Sequence, residues 1–283
     1  MGNAMYFARA RVNKVFAAAF TPQVGLFRRR RTQTERWWTP VVSLDCDAHL
    51  GHNIAATACF LGVALGVGLC VAAVSGWTAT GVFGVYVALL PLYHLFEYEC
   101  VALYNPHRVS MESFMFNPDE GNRYYKAMLA SMAEYVLECW MFADAKAPGL
   151  VTLFGLVLAL CGQAIRSLAM VTAKTSFNHH IANRREVDHD LITHGIYKYE
   201  RHPSYVGFFC WAVGLQLMLK NPLSLVAFAG VLGYFFCRRT NYEERTLLHL
   251  FGPQYESYRR QTPTLIPFAN KDMRTSRASE AKK

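Results

Sequence analysis

The sequence predicts an all-α, polytopic integral membrane protein with about six transmembrane helices and a C-terminal catalytic region facing the cytosol. Three observations carry this. Only 17% of the 283 residues are charged and 53% are hydrophobic, where soluble domains carry about 25% charge. The apolar residues are gathered into long runs. "NIAATACFLGVALGVGLCVAAV", Asn53 to Val74, has no charge over 22 residues, and a bilayer span takes about 20. Third, the basic residues alternate by connection. Of 29 Lys and Arg, the segments 1–52, 97–123, 174–203 and 238–283 hold 8, 2, 5 and 10, while the opposite connections hold Lys146 and Lys220. Short cytoplasmic loops concentrate Lys and Arg, so both termini are expected in the cytosol. The net charge of +9 then reads as attraction to anionic membrane lipids. "RRRR", Arg28 to Arg31, has no nucleic-acid-binding module around it, and no nucleic-acid partner is expected.

Taken in order, residues 1–52 form a basic, partly amphipathic arm. "VFAAAF", Val15 to Phe20, is too short for a secretory apolar region; a mitochondrial transit peptide is the alternative, since the first 34 residues lack acids. Spans follow at 53–74, 78–96, 124–143, 150–172, 204–219 and 222–237. In the first, "GVALGVG", Gly62 to Gly68, spaces small residues for close helix packing. The third carries Lys126, Glu134 and Glu138, which must face protein or water or lie in the interface. The last two are separated by "KNP", Lys220 to Pro222, a tight helical hairpin. The organisation is therefore an arm (1–52), N-terminal transmembrane helices (53–143) and a catalytic core with a C-terminal amphipathic segment (144–283). Eight cysteines with no CxxC pair behave as small hydrophobes. No dinucleotide fingerprint, nucleophile elbow, zincin motif or phosphate-binding loop occurs.

The chemistry must come from polar residues in the C-terminal half. Gln163 and Arg166 sit inside an apolar run, where polar groups mark either a functional cavity or a contact between helices. In "GIYKYERHPSYVGFF", Gly195 to Phe209, Pro203 suits the first turn of a helix. Arg201 and His202 then stand beside free backbone amides, an arrangement that attracts a carboxylate or phosphate. Tyr197, Tyr199 and Tyr205 offer ring faces for a cation or an adenine; interfacial anchoring by Arg and Tyr is the plainer alternative. In "CRRTNYEERTLLHLFGPQYESYRR", Arg239 and Glu243 are four apart and share a helix face, as do Arg238 and Tyr242. The stretch from Leu247 to Arg260 reads as an amphipathic element lying on the membrane.

As a set, "SFNHHIAN", "HDLITHGIYKYERHPSYVGFF" and "RRTNYEERTLLHLFGPQYESYRRQTP" resemble the isoprenylcysteine carboxyl methyltransferase family over roughly residues 94–268. The resemblance implies an endoplasmic reticulum enzyme that uses S-adenosylmethionine to methylate the C-terminal carboxylate of proteins ending in farnesyl- or geranylgeranyl-cysteine. It also implies a cofactor pocket of His189, Asp190, Leu191, Ile192, Tyr197, His202, Pro203, Ser204, Tyr205 and Glu243, with several acting through backbone groups. Arg239 matches the position that engages the substrate carboxylate and is the expected catalytic residue. Ala182 stands where a polar residue is usual. A phospholipid N-methyltransferase would share the cofactor but must deprotonate an amine. A sterol-type reductase would need a nicotinamide, and a non-catalytic membrane scaffold would bind no cofactor.

Overall fold

The computed structural model describes residues 50–115, 123–179 and 190–266. The basic arm up to residue 49, Ala182 and His189 lie outside them. Among the described residues the chain is all helical: α1 Leu50–Ser75, α2 Ala79–Tyr104, α3 Arg123–Met141, α4 Leu150–Ala173, α5 Pro203–Leu219, α6 Pro222–Phe251 and α7 Pro253–Gln261, with short 3-10 turns between some of them. Four of these, α1, α2, α4 (with its 3-10 extension to Ser176) and α6, are long and apolar enough to cross a membrane; α5 is a shorter apolar helix.

Two helix pairs are held by backbone contact. Antiparallel α4 and α5 meet through Gly155 and Gly162 on one side and Gly207 and Gly214 on the other. A Cβ added at Gly155 would fall 2.2 Å from the Met218 amide nitrogen, and one at Gly162 2.4 Å from that of Trp211. Apolar side chains gain little from leaving lipid, so close approach of small residues supplies the packing energy that burial supplies in water. The α1–α2 pair repeats the device with Gly68 against Ala88 and Gly84. Within "GVALGVG" only Gly68 packs in this way. Gly62 and Gly66 have no atom within 4 Å of a Cβ built on them, because they lie on the outward face of the helix.

The core between the pairs is aromatic. Tyr93 of α2 stacks on Trp211 of α5 with ring centroids 4.3 Å apart, and Phe208 meets both. Helix α3 closes the bundle with its polar side chains. Glu134 accepts from the first amides of α6, Leu223 N–H and Ser224 N–H, each at 2.8 Å, which satisfies donors that no helical partner can reach. Glu138 pairs with Lys146 at 2.5 Å. Lys146 Nζ in turn donates to the Leu219 and Lys220 carbonyls and to Asn221 Oδ1, all at 2.9 Å. Lys220 Nζ returns the contact to the Ala145 and Ala147 carbonyls at 2.7 and 2.9 Å. The α5–α6 hairpin turns at Lys220, whose φ is +55°.

Two helices run further than their apolar stretches. α2 continues past residue 96 to Tyr104 because Glu97 finds a buried partner. α6 continues past residue 237 to Phe251, about 45 Å in all, with Thr240 and Glu244 turned inward and Arg238, Tyr242 and Arg245 outward. The amphipathic element after it buries part of its apolar face in the protein. Phe251, Tyr255 and Tyr258 are buried against Leu191, Leu247, Leu248 and Leu250 of the protein itself.

Substituting Gly162 tests the seam. Gly162→Ala is expected to destabilise the protein by about 1–3 kcal/mol, read as a lowered melting temperature in detergent. Gly62→Ala, with no neighbour to strike, should leave it unchanged or slightly raised. Equal effects would refute the backbone-contact account.

Candidate active site

The site grows from the start of α5. Gly195, at φ +57°, opens a 3-10 turn through Lys198; any Cβ there would strike Thr172 Cγ2 at 2.8 Å as well as strain the backbone. The chain then enters the protein. Glu200, Arg201, His202, Pro203 and Ser204 are all buried, and α5 begins at Pro203 as its φ favours.

One polar group lies at the α2–α4 contact. Arg166 holds both carboxylate oxygens of Glu97, Nε with Oε1 and Nη2 with Oε2, the latter at 2.8 Å. Arg166 Nη1 donates to the Ser204 carbonyl at 3.2 Å, and its guanidinium lies 5.5 Å from the Phe208 ring. His179 Nε2 completes the set at 2.9 Å from Glu97 Oε2. Arg166 is thus a contact between helices, and Gln163 takes no part in it: its Nε2 donates to Ser167 Oγ at 3.1 Å.

A second group joins α5 to α6. Arg239 Nε donates to Tyr205 Oη at 2.7 Å, and the Tyr205 hydroxyl donates to Glu243 Oε2 at 2.6 Å. Arg239 Nη2 also donates to the His179 carbonyl. The Arg239 Nη1 has no hydrogen-bond partner among the described residues. Arg239 and Glu243 therefore share a face, as their spacing predicts, with the phenol of Tyr205 between them. Tyr205 stacks on His202 and on Phe236, at 5.7 and 5.1 Å.

The third group lies deeper. His202 Nε2 is 2.9 Å from Glu244 Oε1, while Nδ1 is 3.6 Å from Glu243 Oε2. Burial alone would lower the His202 pKa, but the two carboxylates outweigh it and push it up to about 9, so the ring is charged at neutral pH. Arg201 Nε donates to Glu244 Oε1 at 2.8 Å, and its Nη1 to the Thr262 carbonyl at 2.5 Å. Arg201, whose sequence context left an anion trap or an anchor open, is committed to the fold here.

The remaining expected pocket residues lie around these groups. Tyr197 lies near Glu243: burial first, and then that carboxylate, push its phenol up. Its carbonyl accepts from Tyr258 Oη at 2.6 Å. The Asp190 amide donates to Ser176 Oγ at 3.2 Å, Leu191 packs on the α6–α7 elbow and Ile192 is half-buried. His189 is outside the described residues. Glu97, His179, Glu200 and Glu244 were not assigned roles from sequence. Glu97 had a usable signal, since an acid and an arginine in separate apolar runs are costly unless they pair. His179, Glu200 and Glu244 lie within the motifs that carry the resemblance, but nothing in their spacing gave their partners.

A model described as the isoprenylcysteine carboxyl methyltransferase family matches residues 155–249. A protein-S-isoprenylcysteine O-methyltransferase of Xenopus laevis is 38% identical over 218 residues, covering 77% of this chain and 74% of the relative. That of Saccharomyces cerevisiae is 38% identical over 223 residues, covering 77% and 91%. A solved eukaryotic intramembrane Ras methyltransferase matches with a TM-score of 0.72 at 38% identity over 76% of each chain.

The charged His202 makes stability depend on pH with a definite sign. Its folded pKa of about 9 lies above the ordinary 6.5, so its contribution is complete below about 6.5 and is lost as pH rises through 9. The melting temperature in detergent is expected to fall across that window, and His202→Gln should flatten this fall. A wild-type melting temperature constant from pH 6.5 to above 9 would contradict the pairing.

Proposed function

The chain belongs to the isoprenylcysteine carboxyl methyltransferase family, and from that premise we propose that the α5–α6 site methylates the C-terminal prenylcysteine carboxylate of prenylated proteins, with S-adenosylmethionine as methyl donor. The observation that carries this is the Arg239–Tyr205–Glu243 chain: a guanidinium, a phenol and a carboxylate in hydrogen-bonding series at one end of an apolar bundle.

The acceptor needs no base. An α-carboxyl titrates near 3.5 and is ionised at neutral pH, so no histidine is assigned that role. Arg239 holds the carboxylate, using Nη1, while Nε and Nη2 are fixed by Tyr205 and His179. A charge-assisted bond from a preoriented guanidinium positions an oxygen more firmly than a lysine point charge would, and it leaves other lone pairs free to react. Tyr205 ties Arg239 to Glu243, so acceptor and donor positions are set by one side chain. Phe208, Trp211 and Phe236 exclude water behind it.

The residues present fit a sulfonium donor: Glu243 supplies a partly exposed carboxylate, and Tyr197 and Tyr205 supply ring faces beside it. When bound, S-adenosylmethionine supplies a methyl electrophile that passes in line to a carboxylate oxygen as a neutral thioether departs. His202, Pro203 and Ser204 form the wall at the start of α5, and Leu191 and Ile192 the adjoining backbone, with Asp190 and His189 preceding them. A site at the membrane boundary receives the prenyl chain from the bilayer and the donor from the cytosol. The charge distribution supports six spans with cytosolic termini, and membership of the family points to the endoplasmic reticulum. Lys146 and Lys220, the two basic residues of the opposite connections, meet at the end of α5 remote from Arg201 and His202, Lys146 capping α5 and Lys220 bonding the turn between α3 and α4.

Purified protein with labelled S-adenosylmethionine and a prenylated cysteine analogue should yield a base-labile methyl ester. Absence of ester, or labelling of a lipid amine instead, overturns the assignment. Arg239→Lys is expected to raise the acceptor KM on the order of tenfold, and Glu243→Gln to weaken donor binding by a similar factor. Reversed effects would exchange the two roles.

A further inference from the structure

The proposed site leaves Glu200 unexplained. This residue is 5% exposed, and a buried carboxylate is retained only where it is compensated. Among the described residues no Lys or Arg stands within ion-pair distance of it. Instead three neutral donors converge. Oε1 accepts from the His202 amide at 2.9 Å and from Thr264 Oγ1 at 3.0 Å; Oε2 accepts from the Leu265 amide at 2.5 Å. One donor belongs to the cap of α5. The other two arrive from the far end of the chain.

Neighbouring bonds follow the same path. The Arg201 amide donates to the Pro263 carbonyl at 3.2 Å and Arg201 Nη1 to the Thr262 carbonyl, while Thr262 Oγ1 donates to the Lys198 carbonyl at 3.4 Å. Tyr258 holds the Tyr197 carbonyl. Residues 258–265 therefore lie as a strap across 197–202, which is the backbone of the expected donor pocket.

We propose that Glu200 is a positioning residue for the methyl-donor pocket, its carboxylate clamping the strap at 264–265 to the His202 amide where α5 begins. The proposal rests on the assignment of that pocket to S-adenosylmethionine. The clamp works because a carboxylate without a cation needs all three donors. Releasing the strap leaves an uncompensated charge beside the helix cap, and releasing the cap does the same to the strap. Holding the His202 backbone aims its ring between Glu243 and Glu244, so the strap reaches Glu243 through His202 without touching the ligand.

The test uses the full-length protein in lipid nanodiscs, with S-adenosylhomocysteine as the probe. Calorimetry gives its affinity, and amide exchange follows residues 197–205 and 258–266. Glu200→Gln keeps the shape but must turn an amide donor toward at least one other donor, the Leu265 amide in the better orientation. It is expected to weaken S-adenosylhomocysteine binding about tenfold and to speed exchange at Leu265 and His202 together, with the prenylcysteine KM within about twofold of wild type. Thr264→Val, a milder change that carries the test if Glu200→Gln does not fold, should shift both readouts in the same direction by less. The double variant should fall short of additivity. Bound S-adenosylhomocysteine should slow exchange at Leu265 in the wild type. Faster exchange at Leu265 with unchanged affinity makes the strap purely structural and overturns the proposal, as does equal loss of donor and acceptor affinity. A wild-type protein that does not bind S-adenosylhomocysteine overturns the underlying donor assignment, a failure seen before any substitution is made.

Discussion

The placement of the polar groups depends on one ion pair at membrane depth, Glu97 of α2 with Arg166 of α4. Neither charge is tolerable alone in an apolar bundle, and a buried pair is worthwhile only when its remaining donors and acceptors are also satisfied. That requirement organises its surroundings. Arg166 spends its third nitrogen on the Ser204 carbonyl, which fixes the first turn of α5 against α4. Glu97 takes a second partner in His179, and the carbonyl of that residue receives Arg239. A charge on the second helix thus determines where the guanidinium on the sixth points, although the two never meet. The glycine seam is its precondition, since Arg166 reaches Ser204 only because a Cβ at Gly207 would fall 2.6 Å from the Arg166 amide nitrogen.

Helix existence was legible because lipid demands long apolar runs: all six runs named from sequence are helices, although the 124–143 run carries three charges and only four of the helices are long and apolar enough to cross a membrane. Helix ends were less so. Apolarity stops at residue 237, but hydrogen bonding and propensity carry α6 to 251, and the charges beyond 237 mark a change of environment rather than a change of conformation. In the Leu247–Arg260 stretch the protein itself covers Phe251, Tyr255 and Tyr258, which the pattern could not foretell, because an apolar face does not encode whether lipid or protein will cover it. The same holds for Gly62 and Gly66, whose spacing suits helix contact but which the fold turns outward. In the site, Arg239 and Glu243 were legible from four-residue spacing. Their bridge through Tyr205, the service of His202 to two carboxylates, and the clamp at Glu200 depend on contacts between residues dozens of positions apart, which periodicity does not carry.

The two ends of the α5–α6 hairpin are finished by different chemistry. At the Lys220 turn, cations and carboxylates cap helix ends: Lys146 takes the last carbonyls of α5 and Glu134 the first amides of α6. Both groups bond the backbone, Lys146 alongside Glu138 and Asn221 Oδ1. At the other end Arg201 and Glu244 anchor the frame, while Arg239, Tyr205 and Glu243 are bonded mainly to one another. Side chains bonded among themselves can exchange one partner for a ligand without unravelling a helix, so this end of the hairpin is the one able to take a ligand.

The glycine seam has a mechanical meaning too. Where glycines bring their backbones together, α4 and α5 have little to slide or compress, and they act as a stiff stave. Helix α6 touches the bundle differently, along one line of side chains from Ser224 and Phe228 through Phe236 and Thr240 to Glu244. A line of contact permits rocking where a seam does not. Of the two contacts made by α5, the one with α6 is therefore the more compliant, and Arg239 and Glu243 ride on that side.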